Sequence, residues 1–179
     1  MSLLRPKATC AASSGVVGLS VTSGGLRMNC YESRLKDLGV AIPDLPKPIA
    51  NYVPAKRSGN LVFTAGQVSS EQGRDIKGKL GADLSLDEAR RATRACVINC
   101  LASIRAVIGT LEKIRQVVAV HGLINSTLEC TDQAAAMNGA SDFVVEVFGE
   151  AGRHIRTSAG VASLPMGFAA SVYMIVEVE

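Results

Sequence analysis

Residues 85–111 read SLDEARRATRACVINCLASIRAVIGTL, and this stretch decides the architecture of the chain. Ser85 is followed three residues later by Glu88, which is the capping-box pattern of a helix start. Apolar residues then recur at helical spacing, at Leu86, Ala89, Ala92, Cys96, Cys100, Ile104, Val107 and Leu111. The segment therefore predicts one long amphipathic helix whose apolar face must be covered by another layer of structure.

The segments on both sides of this helix have the patterns of β-strands. Residues 61–67 are rich in β-branched and aromatic side chains and follow a Ser-Gly-Asn turn, which predicts a hairpin with the segment around Tyr52. Residues 117–124 are apolar at nearly every position, as in a strand covered on both faces, and a neighbouring subunit is the natural cover for one of them. Two more strands are predicted over residues 156–163 and 169–178.

Two further helices and one loop complete the pattern. A short helix is predicted over residues 32–38 and a longer one over 132–148, each ended by a glycine, and residues 69–83 are predicted to form a polar loop. In the last strand, alternation places Ser171 on the face away from the helices. The predicted fold is α+β, a mostly antiparallel sheet with two helices packed on one face, and the uncovered apolar face calls for oligomerisation.

The first 31 residues have a different composition from the rest of the chain. They contain no Asp or Glu, three basic residues and many small or hydroxylated ones, which is typical of a transit peptide. An upstream or non-native extension that never packs explains them equally well. We therefore expect a single domain over residues 32–179, in a cytoplasmic protein, or in a mitochondrial one if residues 1–31 are a transit peptide.

Composition also limits the partners. A net charge of +3 is too small to indicate a nucleic-acid partner, and no apolar run is long enough to cross a bilayer. Five cysteines are an odd number, and Cys96 with Cys100 in the apolar stripe predicts reduced core thiols. His121 and His154 stand at no ligand-like spacing to that pair, so we expect no metal and no cofactor.

Three segments together resemble the Rid/YjgF family. They are Tyr52 through Ser58-Gly59-Asn60 to Thr64-Ala65-Gly66-Gln67, then Met137-Asn138-Gly139, and the most specific, HIRTSAGVASLP over residues 154–165. The resemblance implies a chorismate-mutase-like fold and a homotrimer with sites in the clefts between subunits. It is closest to a subgroup with a longer amino-terminal lead.

The family's site residues can be carried over to matching positions. The resemblance implies that Arg156 clamps a substrate carboxylate, a task that suits a planar guanidinium with paired donors. It also implies that backbone at Gly66 approaches the ligand and that Tyr52 covers it. Asn138 would hold neighbouring backbone in place, and Ala65 and Ser158 would line the pocket.

The chain departs from the family pattern at three of its positions, which are Ala65, Ser158 and Ser171. Ser171 stands where catalytic members carry a glutamate, and a hydroxyl cannot take up a proton near neutral pH. Two main functions therefore stay open: a deaminase that hydrolyses 2-imino or enamine acids, and a binding module for small carboxylates or keto acids. A ribonuclease or translation inhibitor is the third and weakest, because the sequence has no basic, aromatic surface.

Overall fold

The computed structural model describes residues 30–44 and 51–179 of the chain. Nearly all of the predicted extension over residues 1–31 lies outside the described residues. The helices are α1 (Tyr31–Asp37), α2 (Leu86–Ile108) and α3 (Gln133–Phe148). The strands are β1 (Ala55–Ser58), β2 (Leu61–Thr64), β3 (Gln67–Val68), β4 (Ser70–Glu71), β5 (Arg74–Asp75), β6 (Ile114–Asn125), β7 (Ile155–Val161) and β8 (Ala170–Val178). None of these helices is long and apolar enough to span a membrane.

One six-stranded sheet carries the fold. Its order is β1-β2-β8-β6-β7, and β3 pairs with the beginning of β8. Every pair is antiparallel except β6 with β7, which are parallel and connected through α3. Helices α2 and α3 bury one face of the sheet. The prediction of an α+β fold, with a mostly antiparallel sheet and two helices on one face, is confirmed.

Helix α2 begins where the capping box predicts and ends earlier than its apolar stripe. Ser85 Oγ accepts a hydrogen bond from the backbone N–H of Glu88, and the Glu88 carboxylate accepts one from the backbone N–H of Ser85. The helix stops at Ile108 because Gly109 takes a φ of 87°, which turns the chain out of the helix. Leu111, predicted as its last apolar residue, is buried in a short 3-10 turn instead.

Strand β8 confirms the assignment of the two sheet faces. Its residues alternate, with Ala170, Val172, Met174, Val176 and Val178 buried under the helices. Ser171 points to the opposite, open face. That face carries Phe63, Leu123, Ile155 and Tyr173, each at least 38% exposed within one chain. The uncovered apolar surface expected from the sequence is therefore present.

The region between residues 51 and 83 differs from the prediction in three ways. Tyr52 lies in a bend before β1 and does not pair in the hairpin, where Lys56 faces Phe63. The predicted strand over residues 61–67 is interrupted, because Phe63 faces Ile175 while Gln67 faces Val172. Phe63 and Gln67 are four residues apart, whereas their partners on β8 are three residues apart. The extra residue forms a β-bulge at Ala65 and Gly66.

The third difference is a small hairpin inside the predicted loop. Strands β4 and β5 pair across Gln72 and Gly73, which both have positive φ. Such a turn suits the twist of a hairpin. Polar strands this short carry no hydrophobic periodicity, which is why the sequence pattern predicted a loop.

The two core cysteines are confirmed as buried free thiols. Cys96 and Cys100 are fully buried between α2 and β8, with their sulfurs directed at the carbonyls of Ala170 and Val172. Burial raises the pKa of the Cys100 thiol to about 12 and that of Cys96 well above its usual 9.0. Both thiols therefore stay protonated and unreactive at neutral pH.

We predict that alkylation of the native protein at pH 8 modifies the half-buried Cys130 and leaves Cys96 and Cys100 untouched until denaturant is added. Peptide mass mapping measures this, and rapid modification of Cys96 in the native state would contradict the prediction.

The same pKa difference lowers the free energy of unfolding as the pH rises from about 9 to about 12, because the thiols ionise only in the unfolded chain.

Candidate functional site

Arg156 lies on β7, the edge strand of the sheet. It is opposite Val120 of β6, which is in turn opposite Met174 of β8, and both of these partners are buried beneath the helices. Arg156 therefore leaves the sheet on the helix side, at the rim where the edge strand keeps its side chain exposed. Ser158, two residues further along β7, points to the same face. It is opposite Gly122 of β6, which is opposite the buried Val172 of β8.

Two side chains of α3 hold the Arg156 guanidinium. Its Nη1 donates to Asn138 Oδ1 at 2.9 Å and to Ser141 Oγ at 3.2 Å. Asn138 and Ser141 are three residues apart on the helix, so they lie on the same side of it. Arg156 and Asn138, both predicted site residues, are thus in direct contact. Asn138 binds the guanidinium itself, whereas the sequence suggested that it would hold neighbouring backbone.

His154 extends this group through Ser141. Its Nε2 lies 3.1 Å from Ser141 Oγ, and its Nδ1 lies 2.6 Å from the carbonyl oxygen of Gly152. A carbonyl can only accept, so Nδ1 carries a proton and, in the neutral ring, Nε2 accepts the hydroxyl proton of Ser141. Burial lowers the pKa of His154, and the nearby Arg156 charge lowers it further against the opposing Gly152 hydrogen bond. The neutral ring is therefore favoured at pH 7.

No carboxylate lies within ion-pair distance of Arg156 among residues 30–44 and 51–179. Asp142 and Glu146, the two carboxylates of α3, are exposed and make no contact with the guanidinium in this part of the chain. In the same residues, no group of three or more His, Cys, Asp or Glu could hold a metal ion. The site thus presents a cation without a counter-ion, which suits an anionic ligand.

Three of the remaining predicted residues, Ala65, Gly66 and Ser171, form a second group on the open face. Gly66 lies in the β-bulge, and a Cβ built on it would be 2.8 Å from Ser171 Oγ. Only glycine fits there without moving Ser171, so backbone and hydroxyl approach each other closely. Ala65 is the neighbouring half-buried residue of the bulge. Tyr52 is 61% exposed in the bend before β1.

The two groups are separated within one chain. Ser171 is opposite Leu123, which is opposite Ala159, three residues along β7 from Arg156. At about 3.3 Å per residue and about 4.8 Å per strand, the Cα atoms of Arg156 and Ser171 are roughly 14 Å apart, on opposite faces of the sheet. A single pocket containing all seven predicted residues therefore stays a prediction, and it requires a second copy of the chain.

Ser141 is the member of the Arg156 group that sequence reasoning missed. Its only sequence signal is its position three residues after Asn138 in NGASD, which places both on one side of α3. His154 is placed in this group by its bond to Ser141. It also lines a shallow cleft of about 400 Å³ with Gln116, Val117, Val118, Arg153 and Ile155, which gives the ring contact with solvent.

A mixed sheet with two helices on one face and a parallel edge pair joined by α3 is the chorismate-mutase-like form of the α+β class. Residues 32–178 match the family model described as "YjgF/chorismate mutase-like, putative endoribonuclease". The chain belongs to this family, as the resemblance predicted.

Three relatives cover most of the chain. Protein TCP17 of Trypanosoma cruzi is 37% identical over 161 residues, which is 89% of this chain and 98% of that protein. The crystal structure of an Agrobacterium tumefaciens protein of unknown function is 39% identical with a TM-score of 0.78, covering 85% of this chain and 95% of that one. A structure named as a putative endoribonuclease, from Shewanella oneidensis, is 34% identical with a TM-score of 0.79, covering 83% and 99%.

Proposed function

We propose that this protein hydrolyses small 2-imino or enamine acids to keto acids and ammonia, with Arg156 as the clamp for the substrate carboxylate. The observation that carries this proposal is the guanidinium itself. Its Nη1 is committed to Asn138 and Ser141, while Nη2 and Nε have no partner among the described residues. An exposed, pre-oriented edge with two free donors matches the two oxygens of a carboxylate.

The direct test is ammonia release from imino acids generated in situ by an amino-acid oxidase, measured against the uncatalysed rate. Several substrates with different side chains are needed, because the carboxylate clamp makes no demand on the rest of the molecule. Acceleration proportional to protein concentration supports the proposal. The absence of acceleration over all substrates contradicts it.

A binding module is the second candidate, and Ser171 is the observation in its favour. A serine at this position cannot take up a proton from water, while the Arg156 clamp would still hold a small keto acid. Calorimetric titration with a series of 2-keto acids, combined with the ammonia assay, separates the two functions. Binding that depends on Arg156, in a protein that releases no ammonia from imino acids, would favour the module.

The endoribonuclease in the names of the family and of the Shewanella protein receives no support from α2. The four arginines of this helix are all engaged within the chain: Arg90 binds the Ala135 carbonyl, Arg91 binds Glu71, Arg94 lies over the Phe143 ring, and Arg105 binds the Ile42 carbonyl. None is paired with an aromatic side chain exposed for base stacking. We therefore rank this function third.

We also propose that the open sheet face is covered by other copies of the chain in a homotrimer. His121 stacks on Tyr173 there, with ring centroids 4.5 Å apart, and Leu123 and Ile155 remain exposed within one chain. An apolar surface of this kind on a sheet is typical of a protein interface. The same assembly would bring Ser171 and Gly66 of one chain near a neighbour.

Leu123→Asp tests the assembly. Leu123 lies beside Ser171 on the open face, so an interface there would bury an unpaired carboxylate at a cost of several kcal/mol. We expect light scattering to give the mass of three chains for the wild type and of one chain for the variant. The control is Leu128→Asp, because Leu128 is 91% exposed after β6. A monomeric wild type would contradict the proposal.

A further inference from the structure

The proposed reaction needs a group that accepts a proton from water. Water must lose a proton as it attacks the imine carbon, and the residue at the family's glutamate position, Ser171, cannot accept one. Ser171 is also on the face of the sheet opposite to Arg156. An acceptor within the same chain therefore has to come from the side chains that touch the guanidinium or are hydrogen-bonded to its partners.

Ser141 is such a side chain, and His154 is hydrogen-bonded to it. Ser141 Oγ lies 3.2 Å from Arg156 Nη1 and 3.1 Å from His154 Nε2. The Gly152 carbonyl, 2.6 Å from Nδ1, fixes the ring so that the lone pair of Nε2 faces the hydroxyl. A hydroxyl, a base within hydrogen-bond reach and a third group that orients the base form the arrangement that moves protons in many hydrolytic sites.

We propose that Ser141 and His154 form a proton relay that takes the place of the missing glutamate. This inference rests on the proposed imine hydrolysis. A carboxylate held by Arg156 keeps the adjacent imine carbon near Ser141, because the hydroxyl contacts the same guanidinium. Ser141 contacts the attacking water, and His154 acts through Ser141 without touching the substrate.

The proton balance closes without another reactant. Water forms a C–O bond to the protonated imine carbon, the π pair moves to nitrogen, and the water proton passes to Ser141 as the Ser141 proton passes to Nε2. The imidazolium returns that proton through Ser141 to the amine of the carbinolamine. The C–N bond then breaks with its electron pair on nitrogen, a lone pair on oxygen completes the C=O bond, and the hydroxyl proton leaves with ammonia as ammonium.

The charges around His154 favour this role. Arg156 lies two residues further on, in β7, the Arg153–Glu150 pair lies on the preceding turn, and the α3 carboxylates Asp142 and Glu146 are exposed. Burial and the Arg156 charge lower the pKa of His154 below 6.5. The ring is thus a neutral acceptor at pH 7, and activity must fall as the pH drops through this lowered pKa.

His154→Gln and Ser141→Ala are the decisive variants, with Ser141→Thr retaining a hydroxyl and the exposed Ser163→Ala as a matched control. We expect His154→Gln to lower kcat by about 100-fold or more with little change in KM, since general acid-base assistance contributes about 10²- to 10⁴-fold. The acid limb of the wild-type pH profile should disappear in this variant. Imidazole added to the medium should restore part of the lost rate of His154→Ala. Ser141→Thr should retain most of the wild-type rate.

The outcomes separate the relay from the reaction. If His154→Gln and Ser141→Ala keep the wild-type kcat and acid limb while Arg156→Ala is inactive, the relay is overturned and the proposed function stands. If the wild-type protein accelerates no imine hydrolysis, both are overturned. Equal thermal midpoints of the variants and the wild type exclude a folding defect as the cause of a loss.

Discussion

Arg156→Ala is expected to lower kcat/KM for imino-acid hydrolysis by about 10²- to 10⁴-fold, because charge-assisted hydrogen bonds contribute about 1.5–3 kcal/mol each and two would be lost. The thermal midpoint should hardly change, since Arg156 is exposed and water can replace it at Asn138 and Ser141. Initial rates and a melting curve of the same preparation give both quantities.

Arg156→Lys makes this test specific. A lysine keeps the charge but cannot offer two parallel donors to a carboxylate while also binding Asn138, so we expect it to recover little activity. Arg74→Ala, at an exposed position on β5, removes the same charge away from the site and should behave as wild type. If Arg74→Ala and Arg156→Ala lose activity equally, the effect is one of net charge and the clamp is refuted.

The same series applies if the protein binds without turnover. Arg156→Ala should then weaken the binding of a 2-keto acid by a similar factor, because the lost contacts are the same. The series thereby identifies the anion site whichever of the two functions holds. Only the rate of ammonia release distinguishes them.

Gly139→Ala is expected to destabilise the fold by about 3 kcal/mol, the upper part of the range for overpacking a core. A Cβ at Gly139 would lie 2.0 Å from the carbonyl oxygen of Arg90 and 2.6 Å from its carbon. These are backbone atoms of α2, so the two helices would have to separate. For a domain of this size the melting midpoint should fall by roughly 6–12 °C.

The direction of the stability change distinguishes the helix contact from the effect of helix propensity. At an open helix position, Gly→Ala stabilises by up to about 1 kcal/mol through helix propensity, so a large loss has to come from the helix contact. Ala134→Gly, at an exposed position of α3, gives the size of the propensity effect in the same helix. An unchanged or raised midpoint for Gly139→Ala would show that α2 and α3 do not approach so closely at Arg90.

Individual elements show why part of the fold was predictable. Helix α2 has local signals at both ends, a capping box at Ser85 and a glycine at 109, and only its apolar stripe suggested a longer helix. Strand β8 was assigned residue by residue because alternation has a period of two. The β4–β5 hairpin was missed because its short polar strands carry no hydrophobic periodicity, and the bulge at Gly66 because it depends on pairing with the distant strand β8.

The candidate site was predictable only as a set of residue types. HIRTSAGVASLP and its companion segments pointed to the family and to Arg156, Asn138, Gly66 and Ser171. The sequence did not indicate that Arg156 and Ser171 lie on opposite faces of the sheet. That separation follows from the register between β6, β7 and β8, which couples residues far apart in the chain.

By itself, then, the sequence determined the helices, the strand faces and the family, because caps, periodicity and short motifs are local properties of the chain. Only the tertiary structure decided which side chains touch Arg156. Ser141 of α3 meets the guanidinium because the parallel β6–β7 pair places the edge strand beside α3, and His154, from the turn that precedes β7, bonds to Ser141. Contacts of this kind depend on strand register and helix packing, which no local pattern specifies.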